Sequence, residues 1–274
     1  MEKTHYLYFI GIIIIALIST YVLIFLPHGI PFPPLENSFY LFGLALDCTI
    51  LIWTIGTFLI IRWFKTKKEN PSLLIWGISF FLYSILFVAH IFRALGFTIA
   101  NENTSPFHFF VYRWEMIVWA AGIVYGLLKI LVKRKKLQII PSVIILVVGF
   151  SWFILGLFII PWENPIESTM YLFLYTIWIP ICFTMAYIFF YYGYKMKRYG
   201  PKIISLGFLG FMITYMAWAP WHFSDVVYIY FIWYFLFLLS LTPTLFGFVL
   251  MSIEEKKISI EEKKISIEEK KIGT

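Results

Sequence analysis

Charge is what this chain has least of: Asp, Glu, Lys and Arg together make 14% of its 274 residues, where soluble domains carry about a quarter. Hydrophobic residues make 61%, aromatic residues 22%, and the mean hydropathy is +0.84. This composition excludes a water-soluble domain as the main body and leaves lipid as the solvent for most of the chain. Cysteine is almost absent as well. Cys48 and Cys182 both fall inside apolar runs, which excludes a disulfide framework and a thiolate metal site and makes them small packing residues. The phosphate-cradling G-x-x-x-x-G-K, the nucleophile-bearing G-x-S-x-G and the zinc-binding H-E-x-x-H patterns are missing too. His5, His28, His90, His108 and His222 are scattered over different depths, so neither a metal centre nor a haem is expected and no cofactor is called for. The chain is not expected to be an enzyme.

What is present is a series of long apolar runs, at 6–26, 39–64, 71–98, 107–132, 137–160, 169–193, 203–222 and 226–250. Each supplies the roughly 20 residues that cross about 30 Å of hydrocarbon as a helix. None shows the two-residue alternation of outer-membrane strands. The expected fold is therefore all-α: a polytopic membrane protein of about eight transmembrane helices, one leading helix plus seven. The first run is longer than a signal-peptide core and lacks a small-x-small cleavage site, so it is expected to stay as the first helix. Residues 1–251 form the expected bundle and 252–274 a charged tail.

Lys and Arg cluster in every second connection, at Lys65 to Lys68, Lys133 to Lys136 and Lys195 to Lys202. The alternate connections hold Glu36, Glu102, Glu163, Glu167 and Asp225, with no Lys or Arg. By the positive-inside rule the basic connections and both termini are cytoplasmic, and the protein belongs to the cell membrane. The formal charge of +7 comes from short clusters at the ends of apolar runs. Anionic lipid headgroups suit such clusters, and no nucleic-acid partner is expected.

Local patterns add detail. Gly122 with Gly126, and Gly149 with Gly156, give small-residue faces for close helix packing. Pro180 and Pro243 each remove a backbone donor inside a run and are expected to kink it. The tail repeats a seven-residue unit beginning at Ser252, Ser259 and Ser266. Its isoleucines stand two apart, such as Ile258 and Ile260, which does not build a single coiled-coil seam. A solvated, partly helical extension is expected, with a cytoplasmic protein partner as the second reading and no site role for Glu254 and Glu255.

Five Asp, Glu, His or Arg residues lie five or more residues from either end of a run: Asp47, His90, Arg93, Arg113 and Glu115. Counted from the outer ends at 1.5 Å per residue, all lie roughly 8 to 12 Å deep. A charge near the bilayer centre costs at least about 2.5 to 3.5 kcal/mol, so the five are expected to face one another. His90 and Arg93 share a helix face, Asp47 and Glu115 are their expected partners, and Arg113 is expected to snorkel outward. His90 adds a group that changes charge between about pH 5 and 8. His222 and Asp225 are secondary candidates at the outer end of the seventh run. An ion-pair network that only holds helices together is one reading. The preferred one is a receptor- or sensor-like protein taking a small polar ligand or ion from outside, ahead of a small transporter, a structural or assembly subunit, and an intramembrane lipid-modifying enzyme.

Overall fold

The protein is represented by a computed structural model that describes residues 39–66, 69–94, 114–158, 173–222 and 228–272. The expected first span at 6–26, Arg113 and Asp225 lie outside the described residues. Seven helices make up the described chain: α1 (Phe39–Lys65), α2 (Pro71–Ala94), α3 (Trp114–Leu131), α4 (Lys135–Phe158), α5 (Ile179–Lys195), α6 (Tyr199–His222) and α7 (Tyr228–Ile272). Among the described residues there is no strand. Lipid offers a backbone no hydrogen-bond partner, so a continuously apolar run satisfies its own N–H and C=O groups as a helix. Six of the helices are long and apolar enough to cross a membrane.

The helices pack as sequential neighbours, α1 on α2, α2 on α3 and α3 on α4, with α5 on α6 and α6 on α7. α7 returns to pack on α1. Small residues let the backbones approach. A Cβ built on Gly56 of α1 or Gly77 of α2 would come within 3.0 Å of the other's carbonyl oxygen. The expected small-residue face of α3 turns to α2, where Gly126 makes room for the Trp76 indole. That indole donates to the Ile123 carbonyl at 3.1 Å. Large apolar side chains that stay exposed, such as Ile50, Trp53, Ile144 and Phe246, have lipid as their natural solvent.

Two local departures from the regular helix follow from the sequence. α5 is entered through a π-helical turn over Leu174–Trp178, immediately before Pro180. The missing proline donor removes one ordinary bond of the ladder there. Pro243 sits inside α7 with the helix continuous on both sides. α5 ends with Arg198 N–H bonded to the Gly193 carbonyl at 2.9 Å and Lys197 N–H to that of Tyr194 at 3.3 Å. Lys197, at φ 52°, fills the left-handed position that usually takes glycine.

α7 runs through the 251/252 boundary without a break and ends at Ile272. Glu254 accepts from the N–H of Tyr199 at 2.8 Å and of Gly200 at 3.3 Å, closing the start of α6. Glu255 pairs with Arg62 near the end of α1. These two carboxylates act as structural ties: a helix start leaves N–H groups without partners, and the mostly buried Arg62 needs a counter-charge. The first repeat unit supplies both and ties α1, α6 and α7 together at the basic end.

Two outcomes are expected in thermal unfolding of the detergent-solubilised protein. Gly77→Val forces α1 from α2 and destabilises by about 1 to 3 kcal/mol. Glu254→Ala removes the carboxylate from the start of α6 and costs about 0.5 to 2 kcal/mol, while Lys256→Ala, at an exposed position, leaves the midpoint unchanged.

Candidate functional site

The inward stripe of α2 carries Tyr83, Phe87 and His90 at the spacing that places side chains on one helix face. Tyr83 is the centre of a closed aromatic layer. Its ring lies 5.5 Å from Trp119 of α3, 5.3 Å from Trp178 of the π turn and 5.9 Å from Phe237 of α7. Trp119 and Trp178 stack at 4.2 Å, and Tyr215 of α6 meets Trp178 edge-on at 5.2 Å. The hydroxyls of Tyr83 and Tyr215 are hydrogen-bonded to each other across the bundle. Tyr175 donates to the Met216 carbonyl at 2.9 Å. Five helices thus meet in rings whose tyrosine hydroxyls are bonded, which is how tyrosine is accommodated away from water, while the indole nitrogens of Trp119 and Trp178 are buried without a hydrogen-bond partner among the described residues.

Beyond this layer, away from the basic connections, stand the two buried ionisable side chains of the expected set. Glu115 is four residues, one turn, before Trp119 and is fully buried. His90 is two turns beyond Tyr83, 8% exposed, with its ring edge-on to Tyr234 of α7 at 5.7 Å. His90 lies about 28 Å along α2 from Pro71 and Glu115 about 24 Å along α3 from Leu131, each at the far end from the basic cluster. A carboxyl and an imidazole held there can take a cation, accept hydrogen bonds from a polar ligand or exchange a proton.

The other sequence candidates fall differently. Asp47 is exposed on α1, because the inward stripe of that helix runs through Ala45, Cys48, Ile52, Ile55 and Leu59 and residue 47 lies off it. Its neighbour Cys48 turns inward instead, with its Sγ 4.0 Å from the Tyr234 carbonyl oxygen. Arg93 is on the last turn of α2 and His222 ends α6, with their side chains outside the description. Both cysteines are buried and free. Sequence reasoning missed the Tyr83–Tyr215 pair and the contacts of Glu254 and Glu255. The available signal was tyrosine placed mid-span, where the ring is far from the headgroup level it usually occupies.

Fold and site together define a multi-pass, all-helical, membrane-embedded protein with an aromatic layer across its middle. No family model, no curated protein and no solved structure matches the chain.

The tyrosine pair is tested by unfolding Tyr83→Phe, Tyr215→Phe and the double variant. Each single change is expected to cost about 0.5 to 1.5 kcal/mol. The double variant is expected to cost less than the sum, since no hydroxyl is then left without its partner.

Proposed function

We propose that this chain is a receptor- or sensor-like membrane protein of eight spans, both termini cytoplasmic, that takes a small polar ligand or an ion into a site open to the outside. His90 and Glu115 form the core of that site. Arg93, one turn further along α2, supplies the countercharge for an anionic ligand group, and Arg113, Asp47, His222 and Asp225 are further candidates. The cytoplasmic tail is the element through which a protein partner reads the bundle.

The observation that carries the reading is the full burial of the Glu115 carboxyl beside the aromatic layer, with buried His90 at the same end of the bundle. Ionisable groups at such depth are expensive in lipid and mark ligand, ion or proton sites. The receptor reading is preferred to the transporter one because Trp119, Trp178, Tyr83 and Tyr215 close the bundle between this site and the basic end. A ligand arriving from outside meets a floor. The orientation rests on the basic clusters, which occupy the ends of α1, α3 and α5 and the starts of α4 and α6.

The test is purification of wild type, His90→Ala, Arg93→Ala and Glu115→Gln with native lipids, followed by mass spectrometry of co-purified small molecules and thermal unfolding. The proposal expects the variants to stay folded and to lose a specific bound molecule, or the stabilisation it gives, which at a hundredfold excess over Kd is about 2.7 kcal/mol. Variants that unfold several degrees lower with no molecule lost would make the layer purely structural.

A further inference from the structure

On the side of the bundle formed by α2, α3 and α4, a groove of about 540 Å³ opens sideways, running from Ile75 and Tyr125 to Leu82 and Val118 at the level of the ring layer. It is hollow because Ala121 and Gly122 of α3 put almost no side chain into it, with Ser79 of α2 packed over Gly122. Its rim consists of Ile78, Ile139 and Val143, large apolar side chains that remain exposed. A cavity with such walls, opening laterally from transmembrane helices, is reached from the hydrocarbon.

Two polar features break the apolar lining. The first is Ser142 of α4, which lines the groove, is 8% exposed, and has an Oγ without a hydrogen-bond partner among the described residues. Several other helical hydroxyls bond back to their own helix, Ser79 to Ile75 at 2.8 Å, Thr49 to Ala45 at 2.8 Å and Thr184 to Pro180 at 2.8 Å, although Ser72 Oγ at the start of α2 also lacks a partner among the described residues. Such a back-bond is the ordinary resting place for serine and threonine in a helix. The second is Tyr125, whose ring lines the groove and carries the Lys129 ammonium 5.6 Å from its centroid. Lys129 stands one turn nearer the basic end, and Lys133, Arg134, Lys135 and Lys136 follow in and beside the connection to α4. The groove therefore joins a hydrocarbon-lined hollow, an unbonded hydroxyl and a cation held by an aromatic ring, ending in a basic cluster.

We infer that this groove is a binding site for one anionic phospholipid. An acyl chain lies in the hollow beside Ala121 and Gly122, and Lys129 with the following basic cluster holds the phosphate. Charge complementarity selects an anionic over a zwitterionic headgroup. The volume falls in the range of about 300 to 1,000 Å³ of ordinary ligand pockets. A second groove, about 410 Å³, lies between α3, α4 and α5. The hydroxyl of Thr184 in its lining is already bonded to its own helix, so that groove serves as the internal control. The inference does not use His90 or Glu115, neither of which lines the groove.

The test uses the full chain in an uncharged detergent, titrated with phosphatidylglycerol or phosphatidylcholine of identical chains and read by native mass spectrometry. Wild type is expected to hold one phosphatidylglycerol at least fivefold more tightly than phosphatidylcholine. Lys129→Gln should lower that preference, and Val143→Trp should weaken retention of either lipid, while Ile181→Trp, in the second groove, changes nothing. Thermal unfolding without added lipid checks that each variant is folded, and Lys129→Gln, at a half-exposed position, decides the matter if Val143→Trp is not. Equal retention of the two lipids by wild type, unchanged preference in Lys129→Gln, or loss with Ile181→Trp in place of Val143→Trp each overturns the proposal.

Discussion

The contact on which the rest of the structure depends is the stack of Trp119 on Trp178, completed by Tyr83 and Tyr215. Lipid gives helices no hydrophobic reason to prefer one another to the bilayer, so association rests on packing and on hydrogen bonds that lipid cannot supply. Here both act at one level. Rings from α2, α3, α6 and α7 and from the π turn before α5 fill the centre, and the tyrosine hydroxyls answer each other. Above the layer a carboxyl and an imidazole are buried; at the basic end the helix termini are tied by Glu254 and Glu255. The described residues thereby present two ends with different chemistry on either side of the ring layer.

This division gives the site its character. A buried carboxyl in a membrane bundle is held by its surroundings at a cost in stability, and Glu115 is surrounded by the very elements that build the layer, with Trp119 one turn away on its own helix. Occupation of the His90 and Glu115 level by a ligand would press on Trp119 and Tyr234, and through Tyr83 and Tyr215 on α6 and α7. α7 is also the helix that carries the tail, and its first repeat unit grips α1 and α6. In the proposed receptor, the same helix is touched by the ligand and read by the partner.

Much of the helical architecture was legible in the sequence because apolar run length is a direct consequence of bilayer thickness. α1, α2 and α6 begin or end within a few residues of the runs at 39–64, 71–98 and 203–222. Rotational phase was harder. Asp47 and Cys48 are adjacent in sequence, yet the helix turns about 100° between them, and depth alone said nothing about which would face inward. The tyrosine pair was invisible for the same reason, since 132 residues separate its members. Glu254 and Glu255 were obscured by repetition: the same dipeptide recurs in each unit, and only the position of the α6 start and of Arg62 distinguishes the first. The groove beside Ser142 depends on residues of three helices, each unremarkable alone.

The central claim, a polar site open on one side and floored by aromatic rings, is tested most directly by chemical access to position 90. In a background lacking Cys48 and Cys182, a single cysteine replaces His90, and oriented vesicles are exposed to a membrane-impermeant thiol reagent from one side at a time. Labelling only from the side opposite the basic connections is the predicted result. Labelling from the basic side, from both sides or from neither would contradict the account.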